Sequence, residues 1–193
     1  VQDVSSMLVA EAASPKKGDH IIDLCAAPGG KSIHVADKMG DYGNVDARDV
    51  SQYKADLIKE NIHRTGVINV EARVQDATVY DPDSEQAADI VIADVPCSGY
   101  GVIGKKPEIK YRATPQKQEE IVMLQRMILD KAAKYVKPDG TLIFSTCTIA
   151  REENEENVHK FLETHTEFEL EQMRQCFPYE GCDGFFMAKM HRK

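Results

Sequence analysis

The sequence predicts a doubly wound α/β domain built on a mostly parallel sheet, on three observations. Short apolar runs alternate with helical patterns along most of the 193 residues. Turn residues punctuate the joins, as in "PGG" after the first apolar run and "KPDG" after the longest helix. No internal repeat or low-complexity tract interrupts the pattern, and a chain of this size buries roughly 70% of its unfolded surface, enough for one core.

The elements follow in order. "HIIDLCAA" (20–27) reads as a buried strand, and the "PGG" turn leads into a helix from Lys31 to Met39. "GNVDARD" (43–49) is a second strand, followed by a helix over 51–65 whose apolar positions Ala55, Ile58 and Ile62 recur at three and four residues. "VEARVQ" (70–75) and "ADIVIADV" (88–95) are the third and fourth strands. The long helix, 115–136, sets Ile121, Leu124, Ile128, Ala132 and Tyr135 on one face, toward the sheet. "KPDG" (137–140) stops it, and "TLIFSTC" (141–147) is the fifth strand. The acidic segment opens a helix to His165, and strands at 167–171 and 184–190 complete seven, the last two as a hairpin. In such sheets ligands bind beyond the carboxyl ends of the strands, at the switch point.

Bulk properties narrow the class. Hydrophobic content of 42% and charged content of 29% are those of an ordinary globular protein. No apolar run approaches the ~20 residues of a membrane span and no signal peptide opens the chain, so no membrane partner is expected. Five cysteines without regular spacing do not form a disulfide framework, which points to a reduced, cytoplasmic setting. The net charge of −8 weighs against nucleic acid, since phosphate binding is largely electrostatic. Its distribution qualifies that: acid concentrates in "REENEEN" (151–157), which reads as a solvated face, while "GKKPEIKYR" (104–112) is basic.

"DLCAAPGGKS" (23–32) is a glycine-containing strand-to-helix turn. Gly29 and Gly30 allow close backbone approach, and the helix amino terminus supplies unpaired N–H groups. A Walker A loop needs a glycine where Cys25 stands, and the dinucleotide fingerprint is absent. A turn cradling S-adenosylmethionine remains. Asp49, ending the second strand, can take ribose hydroxyls, and Asp76, ending the third, can accept from an adenine amino group. Either acid can instead be a turn former. Asp46 is set aside because strand alternation puts it on the face of Arg48 rather than at the end.

The fourth strand runs into Asp94, Val95, Pro96, Cys97, Ser98 and Gly99, and the fifth into Ser145, Thr146 and Cys147. Amino-group methylases carry an aromatic where Cys97 stands, which disfavours that chemistry. A thiol suits carbon 5 of a pyrimidine, which is a poor nucleophile until a thiolate adds at ring position 6. A free thiol is only a few per cent ionised at neutral pH, so activation is needed, with Lys31 the candidate cation. Asp94 is positioned in sequence to hydrogen-bond the ring and assist protonation. Cys25 fits a small buried hydrophobe, and Cys176 and Cys182 lack metal-site spacing, so no metal is expected. Which of Cys97 and Cys147 adds to the ring is left open by these residues alone.

Taken together, "VQDVSS", "DLCAAPGGKS", "DVPCSGYGVIGKKPEIKY", "STCTIAREENE" and "DGFFMAK" resemble the Sun-type, RsmB-like RNA cytosine-5 methyltransferases nearly end to end. The resemblance implies the Rossmann-like fold of class I S-adenosylmethionine-dependent methyltransferases and S-adenosyl-L-methionine as cofactor. It implies Cys147 as nucleophile and Cys97 as the residue that helps resolve the adduct. It also implies cofactor contacts from Cys25, Ala26, Ala27, Pro28, Gly29, Gly30 and Lys31, and from Asp49, Asp76 and Asp94. Lys54 stands where the family often has arginine and is left out of the site, and Val95 stands where alanine is usual.

The implied partner is RNA, in the branch acting on bacterial small-subunit (16S) rRNA, with the enzyme a monomer and "GKKPEIKYR" a phosphate contact. The chain starts at Val1 rather than Met, so residues 1–193 are expected to be one catalytic domain without an amino-terminal RNA-binding region. A DNA or tRNA cytosine-5 methylase, a non-catalytic RNA-binding domain of this fold and a nucleotide hydrolase are the alternatives.

Overall fold

The computed structural model describes residues 3–40 and 42–193, so Val1 and Gln2 of the opening motif lie outside the described residues. Seven strands form one sheet in the order β3-β2-β1-β4-β5-β7-β6. They are β1 (His20–Asp23), β2 (Asn44–Asp49), β3 (Val70–Val74), β4 (Ala88–Asp94), β5 (Val136–Thr146), β6 (Phe168–Cys176) and β7 (Phe185–Arg192). β1 to β5 are parallel, and β7 pairs antiparallel with both β5 and β6. Five parallel strands and a terminal hairpin are therefore present as the sequence predicts, with a longer first hairpin strand.

The helices among the described residues are α1 (Val4–Ala13), α2 (Gly30–Met39), α3 (Gln52–Thr65), the short exposed α4 (Ile109–Arg112), α5 (Pro115–Tyr135) and α6 (Glu155–Thr164). The central strands are covered on both faces, which is why they read as continuous apolar runs. Ile21 and Ile92 face one apolar cluster, with Val9 of α1, Val35 of α2 and Ile58 of α3. Their chain neighbours Ile22 and Val91 face the other, with Ile128 of α5 and Val158 of α6. Each such fully buried isoleucine contributes ~1.5–3 kcal/mol relative to exposure.

Local chemistry sets the boundaries. Asp3 caps α1, Ser51 caps α3 and Thr114 caps α5, each accepting from a first-turn backbone N–H. The expected stop at 137–140 takes a different form. Ala88 pairs with Val136 and Ile90 with Thr141, so "KPDG" bulges out within β5, with Asp139 at φ 61°.

The topology reverses between β1 and β4: from β1 the chain steps outward through β2 and β3, then returns to β4 and steps the other way through β5. Asp23, Asp49, Asp94 and Thr146 end β1, β2, β4 and β5, so the predicted Asp49 and Asp94, and Cys147 directly after Thr146, lie along one edge of the sheet.

Candidate active site

The β4–β5 register decides the core of the site. Asp94 lies opposite Ser145, so the loops that follow the two strands start side by side. Cys97 Sγ and Cys147 Sγ come within 3.1 Å. The Cys147 backbone N–H donates to Cys97 Sγ at 3.3 Å, and the Ser98 and Thr148 hydroxyls hydrogen-bond at 2.8 Å. The carbonyl of Cys147 accepts from Gly101 N at 3.1 Å, and Gly101 O accepts in turn from Gly184 N at 2.9 Å. A Cβ on Gly101 would stand 1.8 Å from the Gly184 carbonyl oxygen, so "GYG" and "DGFF" can cross only as glycines.

Lys31, in the first turn of α2, reaches Asp94 with its Nζ 2.6 Å from Oδ2. Ser145 Oγ donates to the other carboxylate oxygen at 2.7 Å, and the Phe185 ring lies 5.4 Å from the ammonium. Burial alone would lower the lysine's pKa, but the charge of and hydrogen bond to Asp94 outweigh it, so Lys31 stays protonated. The two thiols are driven apart. The hydrogen bond from Cys97 lowers the pKa of Cys147, helped by Lys31 and opposed by burial and Asp94. The same hydrogen bond raises Cys97, and burial and the nearby charges of Cys147 and Glu153 add to it. The contact thus favours ionisation of Cys147 over Cys97.

A second cleft, of about 110 Å³, opens on the β1–β2–β3 side and is lined by Leu24, Cys25, Asp49, Asp76, Pro96 and Ile128, among others. The Asp49 carboxylate accepts from Ala27 N at 3.0 Å and from Val50 N at 2.8 Å, and pairs with Lys54 Nζ at 3.0 Å. Asp76 Oδ1 accepts from the backbone N–H and the hydroxyl of Thr78, so it is a turn former that also faces the cleft. Carboxylates on an otherwise apolar slot fit a nucleoside, whose ring needs apolar walls and whose hydroxyls need acceptors. Burial pushes the Cys25 thiol far up, which keeps it a neutral wall residue.

Not every expected cofactor residue faces this cleft. Ala26, Ala27, Pro28 and Gly29 form the turn beside it: Gly29 N donates to Ala26 O, and Gly29 sits at φ 101° with Ile58 behind it. Ala26 itself is packed in the core. Gly30 opens α2 one residue earlier than expected, ahead of Lys31. Lys54, left out on sequence grounds, stands beside the Asp49 carboxylate. Asp46 pairs with Arg48 as alternation predicts, Arg48 Nε donating at 2.8 Å.

Asp23 is fully buried beneath the Lys31–Asp94 pair. Its Oδ2 accepts from Ser32 Oγ at 2.6 Å, while Oδ1 has no partner. Desolvation pushes its pKa to about 7, with Ser32 opposing and the Asp94 charge adding.

The acidic run departs from the expected solvated face. Glu153, Asn154 and Asn157 are completely buried. Glu153 and Asn154 belong to the turn before α6 and Asn157 to its first turn, and nothing in the spacing of the run sets them apart from their exposed neighbours. The basic patch is partly consumed as well: Lys105 binds Asp3 and Asp183, and Lys110 lies over the Tyr111 ring. Lys106 and Arg112 keep no side-chain partner among the described residues.

A family model described as 16S rRNA methyltransferase RsmB/F matches residues 10–191. The chain belongs to the RsmB/F methyltransferase family. Curated relatives of this RsmB/F chain include the probable ribosomal RNA small subunit methyltransferase B of Bacillus subtilis (strain 168), 40% identical over 212 aligned positions and covering 100% of this chain and 47% of that protein. The ribosomal RNA small subunit methyltransferase B of Proteus mirabilis (strain HI4320) is 33% identical, covering 100% of this chain and 46% of its own length. The chain thus spans about half the length of the curated relatives it matches.

Among solved structures, NSun6 from Pyrococcus horikoshii, determined with SFG, superposes with a TM-score of 0.87 at 31% identity, over 99% of this chain and 52% of that one. A SAM-dependent methyltransferase from Aquifex aeolicus shares the fold at a TM-score of 0.67 and 15% identity, over 99% of this chain and 90% of that one. The RsmB/F fold here is the Rossmann-like one of S-adenosylmethionine-dependent methyltransferases.

Proposed function

We propose that this chain is the catalytic domain of an S-adenosylmethionine-dependent RNA (cytosine-5) methyltransferase acting on small-subunit rRNA through a covalent adduct on Cys147, with an RNA-binding region elsewhere in the whole protein. The observation that carries the proposal is the pairing of Cys97 and Cys147, Sγ to Sγ at 3.1 Å, beside the Lys31–Asp94 ion pair. The small-subunit substrate rests on the names of the curated relatives. Cys25, Asp49 and Asp76, which line the second cleft, would hold S-adenosylmethionine, and the cofactor when bound would supply an electrophilic methyl group.

The residues divide the work. The Cys147 thiolate adds to carbon 6 of cytosine, moving ring electrons to carbon 5 and toward nitrogen 3. Asp94, held by Ser145 and Lys31, accepts the hydrogen bond of nitrogen 3 as that atom takes a proton from solvent in the adduct, and the Lys31 ammonium keeps the carboxylate in place. Once carbon 5 carries the methyl group it must lose its proton. Once Cys147 is a neutral thioether it no longer holds the Cys97 proton, which passes to solvent. The Cys97 thiolate then accepts the carbon 5 proton, the ring electrons return, and the carbon–sulfur bond breaks to restore the Cys147 thiolate. The direction of the thiol pKa shifts supports Cys147 rather than Cys97 as the group that adds.

Full-length protein incubated with unmodified small-subunit rRNA and cofactor tests this. Cys147→Ala is expected to abolish methylation, and Cys97→Ala to leave a protein–RNA adduct that survives a denaturing gel. Methylation by Cys147→Ala together with an adduct on Cys147 variants would assign the nucleophile to Cys97 and refute the proposal.

A further inference from the structure

Glu153 comes from a run of acids yet has no exposed surface and, among the described residues, no cation partner. Three neutral donors converge on its carboxylate: Ser98 N and Gln125 Nε2 on Oε2, each at 2.9 Å, and Gln118 Nε2 on Oε1 at 2.6 Å. A buried carboxylate without a cation is costly, and it persists only where hydrogen bonds hold it. Two of its contacts bracket one residue. Glu153 takes the N–H of Ser98, while the same Gln125 amide donates to the carbonyl of Pro96 at 2.9 Å. Cys97 lies between them.

The orientation of this network is fixed from behind. Asn157 Nδ2 donates to Gln125 Oε1 at 2.8 Å, and Arg126 Nε donates to Asn157 Oδ1 at 2.8 Å. The arginine has only donors, so each amide in the chain has one orientation, ending with the Gln125 NH₂ toward Glu153. The backbone on both sides of Cys97 is therefore tied to α5 and to the turn before α6, while Cys97 Sγ itself receives the Cys147 N–H.

We infer that Glu153 is a positioning residue for Cys97, holding the "PCSG" turn so that the Cys97 thiol stays against Cys147 for the release half of the reaction. The inference rests on the proposed roles of the two cysteines. It differs from a general structural role in its consequence: loosening Glu153 slows release of the adduct, and the addition of Cys147 and the methyl transfer are spared.

Glu153→Gln keeps the volume but removes the charge, so Gln118 must turn its amide over to pair with the new NH₂, and the charge-assisted hold on Ser98 N and Gln125 Nε2 is lost. In the full-length protein with small-subunit rRNA, the expected result is adduct on a denaturing gel at least about tenfold above wild type. First-turnover methyl incorporation should stay within about threefold, and cofactor affinity by calorimetry should be unchanged. Wild-type turnover without adduct overturns the inference. So does a parallel loss of first-turnover methylation and turnover without adduct, which marks a merely structural residue. If Glu153→Gln fails to bind cofactor, Gln118→Ala, which removes one donor from Oε1, replaces it: a rise in adduct of about threefold supports the inference and none overturns it. Cys97→Ala runs in parallel. Adduct there and none in the Glu153 or Gln118 variants refutes Glu153 alone, whereas no adduct in Cys97→Ala refutes the release role and this inference with it.

Discussion

Cys97 and Cys147, fifty residues apart in sequence, stand with sulfur atoms 3.1 Å apart because β4 and β5 are neighbours in register. The contact polarises the pair, lowering Cys147 and raising Cys97. Alkylation with iodoacetamide, followed by mass spectrometry across pH, should label Cys147 first. In Cys97→Ala the contact that lowers Cys147 is gone, and the midpoint of Cys147 labelling should move to higher pH. A midpoint that does not move would mean the contact contributes nothing to the ionisation.

Lys31 contributes positive charge to the same thiolate and holds Asp94. Lys31→Ala leaves Asp94 without its cation and raises Cys147. Single-turnover methylation should fall by roughly 10²–10⁴-fold, the usual scale for a group that assists proton or charge movement. Unchanged cofactor affinity would place the loss in chemistry, and a fall of less than about threefold would exclude that role.

Asp23 gives a pH signature in stability. Its carboxyl holds a proton up to about pH 7 in the fold, against an ordinary value of 3.8. Between those values the folded state binds more protons than the unfolded state, so this group's contribution to stability falls as pH rises and levels off above about pH 7. Asp23→Asn removes that dependence. Melting curves should show the variant gaining on wild type between pH 5 and pH 8; a constant difference would contradict the assignment.

Gly101 and Gly184 cross with no room for a side chain. Gly101→Ala pushes the loop carrying Cys97 off the carbonyl of Cys147, and is expected to cost at least ~3 kcal/mol, the upper range for overpacking. Urea unfolding monitored by circular dichroism measures it. A cost below about 1 kcal/mol would show that the crossing yields easily.

Asp49 should govern cofactor affinity. A charged hydrogen bond is worth ~1.5–3 kcal/mol, so Asp49→Ala is expected to weaken S-adenosylmethionine by at least about tenfold in calorimetry. Because Lys54 covers one carboxylate oxygen, Lys54→Ala should change affinity by a smaller factor. Equal binding by wild type and Asp49→Ala would move the cofactor away from the end of β2.

The sequence by itself determined the seven strands, the glycine turn, the acids at the strand ends and the presence of two polar-flanked cysteines. These are local: apolar runs, spacing and turn chemistry act within a few residues, and the alternation that sets Asp46 against Arg48 is legible in three letters. What separated the two thiols was tertiary. Which sulfur ionises depends on a 3.1 Å contact, on Lys31 arriving from α2 and on Glu153 arriving from a buried turn, and none of those separations is written in the spacing. Glu153 makes the limit plain. Its neighbours advertise a solvated face, and only the packing of α5 against the turn before α6 removes it from water and gives its charge a partner to hold.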